Sequence, residues 1–207
     1  MFRMLRKPQQ PESSLTTYLI AGFGNPGREY MNTRHNIGFL AIDRLCRKLD
    51  VFLGKLQSNA LTATYKDEKF RIILAKPQTY MNLSGQAVVG LLHFYKIPVE
   101  QMLVIHDDMD IPFGSLRIRP SGGSGGQRGL GSTIEKLGSQ DFARLRMGIG
   151  RPPGRMDPKD YVLQSFSSGE QPTLDTVLDA ATDASLTFVR EGLDTAMNRF
   201  NGAVEKN

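Results

Sequence analysis

Six short apolar runs, each ended by polar, proline or glycine residues and separated by stretches of helical period, constrain this chain more than any overall total. They are TTYLIA at 16–21, the two halves of ALTATYKDEKFRIILAKP, MLVIHD, SLRIRP and RLRMGIG. Their length and their β-branched content read as strands. Between them FLAIDRLCRKL sets Phe39, Ile42, Leu45, Cys46 and Leu49 on one helical face, and GQAVVGLLHFYK is helical and stops before Pro98. GLGSTIEKL reads as another helix, and residues 172–200 as one long amphipathic helix. The polar Lys66–Lys69 turn joins two strands as a hairpin, whereas strands separated by helices imply parallel crossovers. The expected fold is therefore α/β, a single-domain three-layer α/β/α arrangement with a twisted mixed β-sheet. A chain of 207 residues is long enough for one real core. We expect that domain over 16–207. A basic disordered tail is expected over 1–15, MFRMLRKPQQPESSL, which lacks the apolar centre of a secretory signal.

In sheets of this kind, sites are built where strands end. The first strand runs into GFGNPGREYMNTRHNIGF, which contains G-x-G-x-x-G at Gly22, Gly24 and Gly27. A dinucleotide loop would start its helix inside the motif and be followed, after a second strand, by an acid about twenty positions on. Here helical period begins only near Phe39, and Asp43 falls inside that helix. What remains is a polar loop carrying Asn25, Tyr30, Arg34, His35 and Asn36. A second strand end presents His106-Asp107-Asp108, and a third presents KPQTYMNLSG after Ile72–Ala75. Together these supply a histidine, a carboxylate and carboxamides: a base, an orienting acid and carbonyl-binding amides.

Other chemistries fit less well. GGSGG places Ser124 in G-x-S-x-G, but the hydrolase that uses this elbow needs its histidine after the serine. The three histidines, His35, His93 and His106, all precede it. His35, His106, Asp107, Asp108 and Asp110 could be imagined around a metal, yet no two-histidine helical spacing supports this and DDMD reads as a solvated turn. No metal and no organic cofactor is expected. His93 lies in a helical pattern and reads as structural, and Cys46 as a packing residue. A lone cysteine excludes an intramolecular disulfide and fits a reducing compartment, with the cytoplasm as default. No apolar run approaches the roughly 18 residues of a membrane span.

The formal net charge is +5, and its distribution is uneven. From Arg117 to Lys159 nine lysines and arginines face three acids. Such a stretch is either a solvated basic face or a phosphate-backbone footprint, and charge alone does not choose.

Four segments in order, GFGNPGREYMNTRHNIGF, KPQTYMNLSGQAV, VIHDDMDIPFG and GGSGGQRGLGSTIEKLG...RLRMGIGRP, resemble the bacterial-type peptidyl-tRNA hydrolase family over nearly the whole chain after the tail. The resemblance implies an α/β/α enzyme, usually monomeric, that cleaves the ester between a peptide and the 3′ ribose of tRNA. By position it implies His35 as catalytic base, Asp107 as the carboxylate behind it, and Asn25 as the residue favouring N-blocked peptidyl groups. Asn82 and Tyr80 match the motif that holds substrate, and Tyr30 a tRNA-contacting position. Arg119 and Arg146 match basic residues that clamp the tRNA 5′ phosphate, and Arg128 falls at a substrate-binding position. One departure stands out: the family commonly has His-Asn where this chain has Gln127-Arg128. Gln127 can donate and accept but not titrate, and Arg128 can pair with phosphate but cannot accept a hydrogen bond. The departure and the basic tail keep open an alternative, a non-catalytic RNA-binding relative. Retention of His35 and Asp107 argues for the enzyme.

Overall fold

The computed structural model describes residues 15–204; residues 1–14 and 205–207, and with them all of the expected tail but Leu15, lie outside the described part. An eight-stranded mixed sheet, its strands numbered in chain order, carries the fold. Its centre is parallel: β1 (Thr16–Gly22) lies between β4 (Phe70–Pro77) and β5 (Met102–Asp108), and β5 pairs with β7 (Ala143–Gly148). The hairpin expected at Lys66–Lys69 joins β3 (Ala60–Lys66) to β4, extended by the short β2 (Lys55–Gln57). On the other edge β6 (Ser115–Arg119) runs antiparallel to β7, and the two-residue β8 (Gly202–Ala203) closes the sheet.

Because side chains alternate across a strand, neighbouring residues feed two separate cores. Ile20, Leu103, Ile105, Leu145 and Met147 pack with α1 (Ile37–Lys48) and α5 (Gln171–Glu191). Leu19, Ala21, Ile73 and Val104 pack with α2 (Ser84–Tyr95) and α3 (Arg128–Leu137). Strands buried on both faces explain why the central runs read as continuously apolar. Cys46 sits in the α1 core, where burial pushes its thiol up to about 11, so it packs and does not react.

One expectation needs correction. The helix read over 172–200 is two: α5 ends at Glu191 and α6 runs Leu193–Phe200, with Gly192 at φ 91° breaking the ladder between them. A five-residue helix, α4 (Pro158–Val162), was not anticipated. It starts with Asp157 accepting from the backbone N–H of Lys159 and with Pro158 in its first turn.

Candidate active site

The carboxyl ends of β1, β4 and β5 converge, and carboxamides tie their loops together. Asn25, just after β1, donates its backbone N–H to Asn36 Oδ1 at 2.9 Å and accepts from Asn36 Nδ2 at the same distance. Its side-chain Oδ1 accepts from the backbone N–H of Met81, beyond β4, at 2.9 Å. The bond from Met81 settles which end of the Asn25 amide is which: the oxygen is used and the amide nitrogen is the donor left over. Phe23 N–H donates to Ile105 O at 2.8 Å, which keeps the loop aligned on β5.

His35 stands in a short 3-10 turn, Arg34–Asn36, directly before α1. Its Nδ1 lies 2.9 Å from Oδ2 of Asp107, at the end of β5. The other oxygen, Oδ1, accepts from Gln127 Nε2 at 3.2 Å, while Gln127 Oε1 accepts from Leu130 N–H at 2.8 Å and so caps α3. One side chain thus starts a helix and steadies the carboxylate. Asp107 is almost fully buried, and burial alone would raise its pKa. The charge of His35 and the hydrogen bonds from His35 and Gln127 outweigh that and hold it below the usual 3.8. An ionised carboxylate only accepts, so Nδ1 carries the proton and Nε2 is the free basic nitrogen. For His35, burial pulls the pKa down and Asp107 pulls it up; Asp107 wins, against a smaller opposing push from the Arg128 cation.

Around the pair opens a cavity of about 710 Å³. Asn25, His35, Tyr80, Asn82, Asp107 and Arg128 all line it. Asn82 and Arg128 are exposed, and Tyr80 is 62% exposed at the rim. Tyr30, Arg119 and Arg146 do not line it. Tyr30 closes a neighbouring 3-10 turn. Arg119 and Arg146 lie on β6 and β7, where the register pairs Arg117 with Arg146 and Arg119 with Arg144. Four arginines therefore share one face of the sheet, opposite the Leu116, Ile118, Leu145 and Met147 core. Within that set Arg144 is buried and holds the backbone carbonyls of Gly122, Gln140 and Phe142. Arg146 binds Asp108 at 2.7 Å, and Asp108 lines the cavity.

Of the residues that could be imagined around a metal, His35 and Asp107 pair with each other and Asp108 pairs with Arg146. His106 donates from Nδ1 to the Asp107 carbonyl at 2.7 Å, is held neutral by burial, and leaves Nε2 buried without a partner. Asp110 pairs with Arg151 rather than with a histidine. Ser124 sits in the loop before α3 and does not line the cavity. Sequence reasoning missed Met81 as the partner of Asn25 and the wall built by Pro158, Lys159, Val162 and Leu163. A five-residue helix is too short to show a period.

Known proteins are similar to this chain over most of its length. The peptidyl-tRNA hydrolase family model matches residues 19–207. The chain is 49% identical over 185 residues to a peptidyl-tRNA hydrolase of Chloroflexus aurantiacus, covering 89% of this chain and 98% of that protein. It is 44% identical over 196 residues to the chloroplastic peptidyl-tRNA hydrolase of Arabidopsis thaliana, covering 94% and 68%. The crystal structure of peptidyl-tRNA hydrolase from Acinetobacter baumannii superposes with a TM-score of 0.84 at 35% identity, over 93% of this chain and 98% of that one.

Proposed function

The chain belongs to the peptidyl-tRNA hydrolase family, and from that premise we propose how its cavity performs the reaction. The enzyme hydrolyses the ester between an N-blocked peptide and tRNA, releasing a peptide carboxylate and tRNA with a free 3′ hydroxyl. The observation that carries the mechanism is the 2.9 Å contact of His35 Nδ1 with a carboxylate whose other oxygen is already held. With Nδ1–H committed to Asp107, Nε2 takes a proton from water as that water attacks the ester carbonyl. Asp107 offsets the imidazolium charge as it forms. The same proton then goes to the departing ribose oxygen, so the histidine is restored. The free amide nitrogen of Asn25 and the carboxamide of Asn82 donate to the peptide carbonyl and to the developing oxyanion without ionising. Tyr80 and Arg128 grip the substrate at the rim.

The arginine face of β6 and β7, with Arg119 and Arg146, receives tRNA phosphates, and Tyr30 contacts the acceptor end. Phosphate contacts suit an enzyme that serves many tRNAs, because they add affinity without reading sequence. His35, Asp107, Asn25 and Asn82 all come from one chain, which supports a monomer as the working unit. Among the described residues no helix is long and apolar enough to cross a membrane, and we place the enzyme in the cytoplasm with translation.

The test is hydrolysis of N-acetyl-aminoacyl-tRNA beside free aminoacyl-tRNA. The blocked substrate should be cleaved preferentially, and His35→Ala should lower turnover by roughly 10²–10⁴-fold with tRNA binding retained. Near-normal turnover by that variant would remove His35 as the base. Tight binding of tRNA with no cleavage by the unaltered protein would turn the reading to a non-catalytic RNA-binding relative.

A further inference from the structure

Arg34 precedes the base, yet it does not line the cavity and is only 8% exposed. Its guanidinium packs over two aromatic rings, 4.8 Å from the centroid of Tyr161 and 4.9 Å from that of Phe166. Nη1 donates to Ser165 O at 2.9 Å, and Nη2 donates to Glu170 Oε1 at 2.7 Å. The other Glu170 oxygen accepts from the backbone N–H and hydroxyl of Ser167, so the carboxylate is itself held. The backbone repeats the attachment: Arg34 N–H donates to Gln164 O at 2.9 Å, and Thr33 bridges Ser165.

These contacts join two pieces of chain with opposite ends at the cavity. One continues from Arg34 into His35. The other continues back from Gln164 through Leu163 and Val162 into α4, the cavity wall. A helix of five residues has little stability of its own. It is reached through a segment with Gly150 and Gly154 at positive φ, and the Tyr161 hydroxyl donates to Ile149 O. Burying a guanidinium is costly unless its charge and donors are matched. Here Glu170 offsets the charge, Nη1 and Nη2 each donate, and two rings cover the plane, while Nε stays buried without a partner; a lysine cannot reproduce that fork-and-plane geometry.

We infer that Arg34 is a positioning residue which, with Glu170, fixes the α4 wall relative to His35 and thereby sets the width of the substrate cavity. It acts on substrate binding through Val162 and Leu163, and leaves the proton transfer between His35 and Asp107 unchanged. The inference rests on the hydrolase reading above.

The experiment measures steady-state kinetics on N-acetyl-aminoacyl-tRNA for Arg34→Lys, Glu170→Ala and the double variant, across pH. KM should rise about tenfold in Arg34→Lys, a change equivalent to one decade of affinity, with kcat nearly constant and the acid limb of the pH profile unmoved. Glu170→Ala should shift KM in the same direction, and the double variant should show less than the product of the two effects, because both break one clasp. An unchanged KM, or a fall in kcat with a displaced acid limb, would overturn the inference. If Arg34→Lys does not fold, Glu170→Ala carries the same test. Should the unaltered protein fail to cleave, the hydrolase reading falls and the clasp is read by hydrogen exchange of residues 158–166. Glu170→Ala should accelerate that exchange, and unaltered exchange would dispose of the clasp.

Discussion

A single proton on His35 is pulled two ways. Asp107 raises the His35 pKa above 6.5, so the charged pair stabilises the fold fully below about 6.5, and that contribution is lost as pH rises through the folded value. Catalysis wants the opposite state, because a base must be neutral to accept a proton. Activity should therefore rise with pH through the folded pKa of His35, over the same interval in which the pair stops stabilising the chain. Asp107 acts at the other end. Its lowered pKa gives stability that is present above 3.8 and is lost as pH falls through the folded value. Arg128 offers a handle on the upper range. Its cation opposes protonation of His35, so Arg128→Ala should move the acid limb of kcat to higher pH. A limb that stays still or moves to lower pH would show that Arg128 does not act electrostatically on the base. The polar clusters that hold Asn25, His35, Asn82 and Asp107 were legible in the sequence as polar groups placed abruptly after apolar runs, and the family resemblance singled out these four among their neighbours. The support from Gln127 was not legible, since it joins residues 20 apart across two elements and depends on side-chain direction.

At the scale of elements, the opening glycine motif serves packing rather than a pyrophosphate. A Cβ on Gly22 would collide with the carbonyl of Gly38, and one on Gly38 would lie 2.5 Å from Phe23 N and from Ile105 O. The start of α1 therefore presses directly on the ends of β1 and β5, and this close approach brings His35 within reach of Asp107. Gly38→Ala meets backbone that has no rotamer to change, so it should destabilise by at least the ~1–3 kcal/mol of overpacking and weaken activity with it. Gly131→Ala is the contrasting case. Gly131 lies inside α3, where a Cβ would come no nearer than 3.8 Å to Ser124, and the change should stabilise by roughly 0.4–1 kcal/mol. Denaturant melts of the two variants measure both signs, and equal effects would mean that the close approach at Gly38 is not what sets the cost. The strands and longer helices were readable because they span enough residues to show their period. The short β2, α4 and β8 could not be read that way. The split at Gly192 is different: the glycine is visible in the sequence, but an isolated glycine is tolerated in many helices, and only its φ of 91° decides.

At the scale of the molecule, the uneven charge becomes a surface once β6 and β7 are paired. The bias between Arg117 and Lys159 was plain in the sequence; that alternate arginines of two neighbouring strands would share one face needed the register. The arginines on that face are not equivalent. Arg119 is half-buried and makes no ion pair among the described residues, whereas Arg146 is already matched by Asp108. A phosphate bound by a free cation releases counterions from the nucleic acid, and each such contact contributes roughly 0.7–0.9 to the slope of log affinity against log salt. Arg119→Ala should therefore flatten the salt dependence of tRNA binding by about one contact, with kcat on bound substrate preserved. Arg146→Ala should flatten it less, because Asp108 already offsets that cation. It should also disturb turnover, because Asp108, 13% exposed and lining the cavity, is left without its cation. Binding of deacylated tRNA between roughly 50 and 200 mM salt separates the two. An unchanged slope for Arg119→Ala would place the tRNA footprint elsewhere, and a steeper loss for Arg146 than for Arg119 would mean that phosphate displaces Asp108 when tRNA binds.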